Sequence, residues 1–459
     1  MPRVIVIGAG PAGLTAAHRI GSSAEVELLE MRSAPGGRVR TRKTKGYRTE
    51  LGANTIRGGT RPVEALVRDL DLVDARIYPG DVAKKRYVVR GGKPRALPSS
   101  PSEILTTDLF SWTARLRLLK EPFVRPAVAG PDETVGSFVA RRLGPEIRDY
   151  AVDPFLGGVF AGRADQLVLR HALSSLYETV EAHGSLTRAG LARALDGLKQ
   201  RLPGASSPSE AAAGPRRIFT FRGGLSTLMD RMRDRIEAPI RLEHEVRTVT
   251  TSSEGLELRV RTPSGTETRS ADSVVYTGPA YRIPEMLETI TAEEARHLKK
   301  VPYPPVAVVG LGYHRKAVGH PLDGFGVLVP SREPFDILGA LFSSSLAPGS
   351  APEDRVLLNV FVGGARDPEL ARKDREDLAR LAHRETARLL EVSEPPRFTH
   401  VHRWKRAIPQ FVRGHDRALA AVEAIERRHP GLHLAGSYRG GISVPDAVAS
   451  GVRAARQVT

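Results

Sequence analysis

Short apolar runs at the two ends of the chain predict strands of one parallel sheet. Val4 to Ile7 is a continuous apolar run, which is typical of a strand buried on both faces. A helical pattern with Pro11 in its first turn follows, and EVELLE at 25–30 is a second strand. Near the other end, LHLAG at 432–436 repeats the pattern of an apolar strand followed by glycine. We therefore expect both ends to meet in one domain.

The middle of the chain divides into two patterns. Residues 84–200 show mainly helical periodicity, as in LFSWTARLRLLKEPF, and LPGASSPSEAAAGP at 202–215 predicts a surface loop or disorder. A helix is then expected after Gly224, and residues 240–280 alternate at period two, which predicts a meander of strands. The last of these strands ends in Thr277 and is expected to return to the first domain.

Residues 300–395 predict a second sheet. The strand candidates are PVAVVGLGY, DGFGVLVP and RVLLNVFVGGAR, and DREDLARLAHRETARLLEV is an amphipathic helix. The fold class expected is therefore α/β, with a Rossmann-like domain interleaved with an α+β substrate domain and a mostly helical region for substrate access or membrane association. The predicted parts are 1–75, 216–283 and 396–459 for the first domain, 84–200 for the helical and substrate-binding region, and 300–395 for the second sheet.

Composition excludes several classes of chemistry and of partner. The 459 residues include no cysteine, which rules out disulfides, thiolate metal sites and a thioether-linked cofactor. There are 69 basic and 52 acidic residues, giving a net charge of +17, which indicates an anionic partner. Only 5% of the residues are aromatic, which argues against a stacking surface for nucleic acid. No charge-free apolar run approaches the roughly 18 residues of a membrane span, and we expect a cytoplasmic protein.

The first strand leads into a dinucleotide-binding fingerprint. Gly8, Gly10 and Gly13 follow Ile7 at G-x-G-x-x-G spacing, and Glu30 ends the second strand. In this arrangement the glycines permit a tight turn and close approach of a pyrophosphate, and the acid binds ribose hydroxyls. Because strand, glycines, helix, strand and acid occur in order, the sequence predicts a bound dinucleotide.

Two further glycine segments favour FAD over a nicotinamide dinucleotide. Gly36 and Gly37 precede Arg38, and this second glycine turn comes too early for the next strand of a simple nicotinamide domain. It can bring a cation to the pyrophosphate or to the flavin. Gly52 and Ala53, followed by Asn54, offer a low backbone beside a flat ring.

The segment GSYRGGISVPDAVASG, which begins at Gly436, predicts the start of a final helix that faces the cofactor. Pro445 suits a first helical turn, and Ile442 to Val444 would contact the flavin. A helix N-terminus stabilises the negative charge that develops on a flavin when it accepts a hydride. The histidines lack metal-ligand spacing and no G-x-S-x-G turn occurs, so no metal is expected and the chemistry is assigned to the cofactor.

A family resemblance extends along the whole chain. The sequence resembles the FAD-dependent protoporphyrinogen and coproporphyrinogen oxidases of haem biosynthesis, within the monoamine-oxidase-like flavoproteins. The similar segments occur in the family's order. Ala447 departs from the resemblance, since many members have cysteine there. The matching segments are PDETVGSFVARRLGPEI, GGVFAGRADQL, FRGGL, PVAVVGLGY, DGFGVLVPSREP, VGGARDPEL, RWKRAIPQF and LAGSYRGGISVPDAV.

The resemblance implies oxidation of a porphyrinogen to a porphyrin by non-covalent FAD. Six electrons leave the macrocycle in three flavin cycles, and dioxygen reoxidises the flavin to give peroxide. We favour protoporphyrinogen IX as substrate, and coproporphyrinogen III remains the alternative. A flavin amine oxidase or carotenoid desaturase is a more remote alternative, and a non-catalytic flavin-binding or anionic-surface-binding protein is another. No side-chain base is assigned.

The resemblance also implies which residues bind substrate and cofactor. Arg61 would pair with a ring propionate, although Arg57 lies close enough in sequence to compete for this role. The other expected substrate-binding residues are Gly158, Phe160, Gly326, Leu328 and Phe361. The resemblance adds Val246, beside the adenine, and Trp404, beside the flavin. The full set expected at the cofactor is Gly8, Ala9, Gly10, Pro11, Ala12, Gly13, Glu30, Met31, Gly37, Arg38, Gly52, Ala53, Asn54, Thr55, Val246, Thr277, Trp404, Gly436, Ile442, Ser443 and Val444.

Association with other molecules is expected on weaker sequence grounds. The helical region from about Ile104 to Pro126 carries apolar residues among arginines and could dock on an anionic membrane, with an internal helix as the alternative. The protein would then be peripheral on the inner face of the cell membrane. Relatives imply a homodimer, and nucleic acid is not expected as a partner. The apolar residues of this region are Leu109, Phe110, Trp112, Leu116, Leu118 and Leu119.

Overall fold

The computed structural model describes residues 1–121, 130–185, 217–253, 255–287 and 290–459. The predicted loop at 202–215 lies outside the described residues, as does the end of the region expected to dock on a membrane. Within the described residues the chain has the mixed α/β fold expected from the sequence.

The strands of the described residues form two large sheets and several small ones. In chain order they are β1 (Arg3–Ile7), β2 (Glu25–Glu30), β3 (Thr41–Thr44), β4 (Tyr47–Glu50), β5 (Ile56–Arg57), β6 (Arg76–Ile77), β7 (Lys85–Arg90), β8 (Lys93–Ala96), β9 (Ile218–Phe221), β10 (Ile240–Leu242), β11 (Glu245–Ser252), β12 (Gly255–Thr262), β13 (Gly265–Ala271), β14 (Ser273–Tyr276), β15 (Val306–His314), β16 (Gly324–Leu328), β17 (Gly339–Phe342), β18 (Arg355–Gly363), β19 (Phe398–Trp404) and β20 (Leu432–Leu434).

The helices surround these sheets, and a π-helical turn at Arg148–Val152 joins α6 to α7. The helices are α1 (Pro11–Ile20), α2 (Arg61–Asp69), α3 (Pro101–Thr106), α4 (Trp112–Leu119), α5 (Val135–Arg142), α6 (Pro145–Ile147), α7 (Asp153–Phe160), α8 (Leu169–Ala172), α9 (Ser174–His183), α10 (Ser226–Arg235), α11 (Ile283–Met286), α12 (Ala292–Lys299), α13 (Ser343–Leu346), α14 (Arg375–Leu390), α15 (His415–Arg428) and α16 (Val444–Val458).

A parallel sheet joins the two ends of the chain, as the apolar runs predict. Its strand order is β10-β2-β1-β14-β20, and each neighbouring pair is parallel. Because β1 is central, its residues Val4 to Val6 are buried on both faces. Val4 and Val6 lie in the core beside α1 and α16, and Ile5 lies in the core beside the meander β11–β13. Helices α1 and α16 cross closely at Gly451, where a Cβ would lie 2.3 Å from the Ala12 carbonyl oxygen.

The second sheet has seven strands in the order β19-β15-β18-β17-β16-β7-β8. The amphipathic helix α14 packs on one face of it, against the side chains of Val309 and Val360. The sequence patterns predicted β15, β16 and β18 but not β17, β19 or the hairpin β7–β8, which are short or rich in charged residues. The domain boundaries remain a prediction, and the one placed after residue 395 falls just ahead of β19, which pairs with β15.

The region expected to dock on a membrane is divided between two helices, α3 and α4, in the described residues. Leu109 and Phe110 lie between these helices and are buried in the apolar core beside α5 and α7. Trp112 and Leu116 are exposed on α4, at 68% and 54% of their surface. Only part of the predicted apolar set is therefore available to a partner. No helix among the described residues is long and apolar enough to cross a membrane.

Candidate functional site

The predicted cofactor residues converge at the carboxyl edge of the parallel sheet. Gly8 follows β1, Thr277 follows β14 and Gly436 follows β20. The Thr277 hydroxyl donates to the Ile7 and Gly8 carbonyl oxygens at 2.9 and 3.1 Å, which ties two of these strand ends together. Ligands of open α/β sheets bind at this edge, because the loops between strands and helices meet there.

The first glycine loop leaves no room for side chains. Gly8 has a φ of +103°, a conformation that only glycine adopts readily. A Cβ on Gly13 would lie 1.8 Å from the Gly8 carbonyl oxygen. Gly8 and Gly13 are therefore required by backbone conformation and packing at the start of α1, whereas a Cβ on Gly10 would lie 3.9 Å from the Gly37 Cα, an ordinary contact. The N-terminus of α1 is the end expected to face a phosphate.

The second glycine loop lies directly against the first. The Gly36 amide donates to the Ala9 carbonyl oxygen at 2.7 Å, and a Cβ on Gly37 would lie 3.0 Å from the Gly10 Cα. This contact brings Arg38 to the same edge as the fingerprint. Both segments are predicted from the sequence to bind the cofactor, and in the structure they are in contact with each other.

Glu30, the acid predicted to bind ribose hydroxyls, is held in place by backbone amides. It is only 6% exposed at the end of β2, with its two carboxylate oxygens accepting hydrogen bonds from the Ala9 and Arg32 amides at 2.8 and 3.0 Å. Each carboxylate oxygen has a second lone pair, so the side chain retains acceptor capacity for two hydroxyl groups.

Two arginines beside these loops carry charge that no carboxylate pairs with in the described residues. The Nε atoms of Arg38 and Arg40 are buried without a hydrogen-bond partner there. Burial lowers the pKa of Arg38, with Tyr303 and Tyr281 opposing that effect and Arg32 adding to it. Arg38 donates through Nη2 to the Arg406 carbonyl oxygen at 2.9 Å, and its unused Nε donor fits the pyrophosphate of FAD, so the residues present suit this cofactor.

The segment predicted to lie beside the flavin is held from both sides. A Cβ on Gly52 would lie 1.9 Å from the Arg38 carbonyl oxygen. From the other side, Trp404 at the end of β19 donates through Nε1 to the Leu51 carbonyl oxygen at 2.5 Å. The Asn54 amide nitrogen donates to the Gly52 carbonyl oxygen at 2.9 Å. The loop is therefore a fixed wall with little freedom to move.

The final helix begins where the sequence predicts, and its first turn is capped. Ser443 is the N-cap of α16, and its hydroxyl accepts from the Asp446 amide while the Asp446 carboxylate accepts from the Ser443 amide. Gly441 permits this turn, because its φ is +127° and a Cβ there would meet the Asp446 carboxylate at 2.3 Å. The Asp446 charge offsets part of the helix dipole that is predicted to act on the flavin.

The adenine contact expected at Val246 is on β11, next to the end of β2. Val246 lines a cavity of about 260 Å³ together with Arg247, Thr248, Arg282, Glu285 and Met286. Two arginines and a methionine border this space, which suits a flat heterocycle with polar edges. The assignment of Val246 to adenine stays a prediction.

Several predicted substrate residues form one apolar cluster. A Cβ on Gly158 in α7 would lie 2.5 Å from Leu328 Cδ2 in β16, so the Leu328 side chain packs directly on the backbone of Gly158. Phe160 is buried on the same helix and packs with Phe411, with ring centroids 6.3 Å apart. Ile442, predicted at the flavin, packs against this same cluster. The substrate and cofactor predictions therefore meet in one place.

Phe361 lies in a second apolar cluster, with Trp404 and Leu51 among its members. It is therefore next to the wall predicted beside the flavin. Gly326 is more distant from this wall. It lies in β16 beside β17, and a Cβ on Gly326 would lie 2.5 Å from the Ala340 carbonyl oxygen of β17.

Arg61 is the first residue of α2, and its side chain is exposed. The start of this helix is fixed by Glu64, which accepts from the Gly59 amide at 2.9 Å and pairs with Arg76 at 2.7 Å. Arg57 is also exposed, on β5. Both arginines therefore have exposed side chains. They differ in their backbone, because Arg61 lies at the fixed start of a helix and Arg57 lies in the short strand β5.

The remaining predicted cofactor residues follow the same loops. Ala9 and Ala12 are buried at the start of α1, where Pro11 is the first helical residue. Met31 is 50% exposed beyond Glu30. Thr55 and Ala53 are half-buried on the flavin-side wall. No group of three or more metal-binding side chains occurs in the described ranges.

Some residues at the site were not found from the sequence. Asn359 is completely buried in β18 and contacts Asn54, and Gln410 donates to the Phe160 carbonyl oxygen at 2.8 Å. Phe155 and Val159 on α7 are apolar yet about 45% exposed beside Gly158. A polar residue in an apolar strand, as in RVLLNVFVG, is a signal that could have pointed to Asn359.

Two titratable groups close to the site have shifted pKa values. Burial raises the pKa of Glu50 to about 7, although its carboxylate accepts from the Leu225 amide and the Thr41 hydroxyl. Burial, reinforced by the Arg40 charge, lowers the pKa of His402 to about 4. The His402 ring contacts Trp404 with centroids 4.4 Å apart. At neutral pH a neutral imidazole therefore lies behind the tryptophan.

Comparisons with known proteins agree with this geometry. Residues 11–459 match the model of the family described as flavin containing amine oxidoreductase. The chain is 32% identical to protoporphyrinogen oxidase 2 of Arabidopsis thaliana, covering 99% of this chain and 93% of the relative. It is 33% identical to the protoporphyrinogen oxidase of Bos taurus, covering 99% and 98%. It is 26% identical to the coproporphyrinogen III oxidase of Bacillus subtilis, covering 98% and 96%.

Solved structures show the same fold. A presumed protoporphyrinogen oxidase from Exiguobacterium sp. 255-15 superposes with a TM-score of 0.82 at 21% identity, covering all of this chain and 98% of that one. A triple mutant of putrescine oxidase superposes with a TM-score of 0.69 at 17% identity, covering 100% and 98%. At these identities the structural likeness concerns the fold alone.

Proposed function

The chain belongs to the flavin-containing amine oxidoreductase family, and from that premise we propose that it oxidises protoporphyrinogen IX to protoporphyrin IX in haem biosynthesis. It is an FAD-dependent oxidoreductase. The observation that carries the proposal is the apolar cluster in which Leu328 and Phe160 meet Ile442, because a macrocycle must contact the flavin over an apolar surface. The relatives named as protoporphyrinogen oxidases support the same substrate.

The overall reaction removes six hydrogens from the macrocycle. Each round would remove two hydrogens, one as a hydride to the FAD that this site would hold and one as a proton, so three rounds are needed for one porphyrin. We propose dioxygen as the final acceptor, which balances the reaction as protoporphyrinogen IX plus three O₂ giving protoporphyrin IX plus three H₂O₂. Aromatisation of the ring supplies the driving force.

The residues of this chain orient the substrate and exclude water. Leu328 and Phe160 offer an apolar wall for a flat ring system, and the Leu328 side chain packs directly on the backbone of Gly158. Arg61 would pair with a propionate and fix the rotation of the ring. Such orientation can supply much of the rate acceleration without a side-chain base.

Coproporphyrinogen III is the second candidate substrate. The Bacillus subtilis relative is named for it and matches 98% of this chain. The net charge of +17 also favours a substrate with four carboxylates over one with two. The two substrates differ only in the groups on two rings, so both fit the same apolar wall.

The test is a porphyrin-formation assay with both porphyrinogens in parallel. The purified protein is first checked for the absorbance of bound flavin, and porphyrin fluorescence is then followed for wild type and Arg61→Ala. Arg57→Ala is the matched control, since Arg57 is a nearby exposed arginine. We expect Arg61→Ala to raise KM by about tenfold, the loss of about 1.4 kcal/mol of binding, with Arg57→Ala close to wild type. A flavin spectrum without porphyrin from either substrate would contradict the proposal, and amine and carotenoid substrates would then be tried.

Partners and location are part of the proposal. We propose that the exposed part of α4 attaches the protein to the anionic inner surface of the cell membrane. Trp112 and Leu116 supply apolar contact, and Arg115 lies over the Trp112 ring at 4.6 Å. Sedimentation with anionic and neutral vesicles tests this. Trp112→Ala should reduce binding to anionic vesicles, and equal binding of both proteins would contradict it.

A homodimer is also proposed and is tested by light scattering.

A further inference from the structure

The wall predicted beside the flavin is braced from the substrate sheet by one buried amide. Asn359 lies in β18 and is completely buried. Its Nδ2 donates to the Glu50 carbonyl oxygen and to Asn54 Oδ1, each at 3.0 Å. These two acceptors flank the segment 51–53, so one side chain of the second sheet holds both ends of this short loop.

Asn359 is an exception in its strand. Leu358 and Val360, on either side of it, point to the opposite face and pack in the apolar core under α14. Burying an amide costs free energy unless its groups are paired, and the Oδ1 atom of Asn359 has no hydrogen-bond partner in the described residues. An apolar residue would therefore suit the strand better. The amide is therefore explained by the two hydrogen bonds that its Nδ2 atom donates.

The hydrogen bonds from Asn359 determine the orientation of Asn54. Because Asn54 Oδ1 accepts from Asn359, the Asn54 amide nitrogen is directed to the Gly52 carbonyl oxygen, 2.9 Å away. Gly52 is pressed against the Arg38 backbone, which belongs to the second glycine loop. Asn359 is therefore connected through Asn54 to the backbone that encloses the cofactor.

We propose that Asn359 is a positioning residue that acts through Asn54 to hold the 51–54 wall against the flavin and so sets the reduction potential of the flavin. The inference rests on the proposed function for the placement of this wall beside the flavin. Nothing in the described contacts gives Asn359 a direct role in the chemistry. Its effect passes through Asn54, because a loosened wall presents its backbone dipoles less favourably to the reduced flavin.

The test compares flavin reduction potentials in variants of similar volume. Asn359→Leu removes both donated bonds, and we expect a lower potential, a shifted visible spectrum of the bound flavin and a kcat reduced about tenfold with KM little changed. Asn359→Asp keeps the shape but adds charge, and we expect a still lower potential. Tyr313→Phe is the control, because its buried hydroxyl bonds to His383 on the opposite face of the same sheet.

A second measurement asks whether the effect passes through Asn54. In an Asn54→Ala background the Asn359→Leu substitution should change the potential less than it does alone, because only the bond to the Glu50 carbonyl oxygen is then lost, and a merely structural role does not predict this coupling. A flavin-loaded Asn359→Leu protein with the potential and spectrum of wild type would overturn the proposal. If Asn359→Leu does not fold, an unchanged potential in Asn359→Asp overturns it in the same way. A wild type that binds flavin but forms no porphyrin contradicts the proposed function alone, and the potentials still decide the role of Asn359.

Discussion

The cofactor region and the seven-stranded sheet differ in how closely the chain packs around their glycines. In the cofactor region the limiting contacts are between backbone atoms, as at Gly13, where a Cβ would meet a carbonyl oxygen at 1.8 Å. In the seven-stranded sheet the closest contacts are longer, at 2.5 Å or more, and they are mixed, since a Cβ on Gly326 would meet the Ala340 carbonyl oxygen at 2.5 Å. There a Cβ on Gly310 would meet the Thr49 side chain at 2.9 Å. Backbone cannot yield without moving a strand or a helix, whereas a side chain can change rotamer. The cofactor region should therefore be the less tolerant of small substitutions.

The strongest test of this difference is Gly13→Ala. The added Cβ forces α1 away from the loop after β1, and we expect FAD affinity to fall at least 100-fold, or about 2.7 kcal/mol. Alanine favours a helix over glycine by up to about 1 kcal/mol, which is too little to offset the clash. Flavin retained by the purified protein, measured by absorbance after dialysis, checks the prediction.

Two glycine variants serve as controls for Gly13→Ala. Gly80→Ala places a Cβ in open space, and Gly310→Ala meets only the movable Thr49 side chain. Both should retain FAD like wild type. Equal loss of FAD from Gly13→Ala and Gly310→Ala would break the distinction between the two regions.

A core substitution in the seven-stranded sheet should give the next largest effect. Leu358 is completely buried under α14, and Leu358→Ala should lower the free energy of unfolding by about 2–5 kcal/mol. We expect the folded variant to bind FAD with wild-type affinity, because the cavity lies on the far side of the sheet from the glycine loops. Denaturant unfolding and FAD titration measure the two quantities separately.

Leu116→Ala is the matched control for Leu358→Ala, because Leu116 is 54% exposed on α4. Its free energy of unfolding should stay within about 0.5 kcal/mol of wild type. A Leu358→Ala protein that is folded but has lost FAD would show that the two regions do not respond independently.

A pH-dependent effect is predicted at Glu50, where the two regions meet. Its pKa of about 7 in the folded protein exceeds the ordinary 4.5, so the folded state binds the proton more tightly than the unfolded state. The free energy of unfolding must then fall as pH rises through this window, by about 2–3 kcal/mol between pH 5 and 8. Glu50→Gln removes this dependence, and the difference between the two proteins in denaturant unfolding measures it.

Buried histidines titrate with the opposite sign, which is why the comparison with Glu50→Gln is needed. Burial lowers the pKa values of His402 and His415 to about 4, so their contribution to stability increases as pH rises toward 6.5. Wild type and Glu50→Gln share these histidines, so their contribution cancels when one stability curve is subtracted from the other. Parallel stability curves for wild type and Glu50→Gln between pH 5 and 8 would contradict the assignment.

The parallel sheet was predictable because its signals are local. The apolar runs at β1 and β20 and the glycine spacing after Ile7 lie within short windows, and the structure confirms that they share one sheet. The seven-stranded sheet was only partly predictable. Strand β19 is an edge strand with polar residues among its apolar ones, and nothing in FTHVHRW identifies β15 as its partner.

By itself, the sequence determined the α/β class, the glycine loops, Glu30 at the end of β2 and the final helix after Ser443. Each depends on backbone conformation or on an apolar pattern that short segments encode. Only the tertiary structure decided which distant side chains brace the site. Asn359 meets Asn54 across more than 300 residues of chain, and Trp404 meets Leu51 in the same way. Such pairs are set by the packing of one sheet against another, because the geometry that joins them exists only after both sheets have formed.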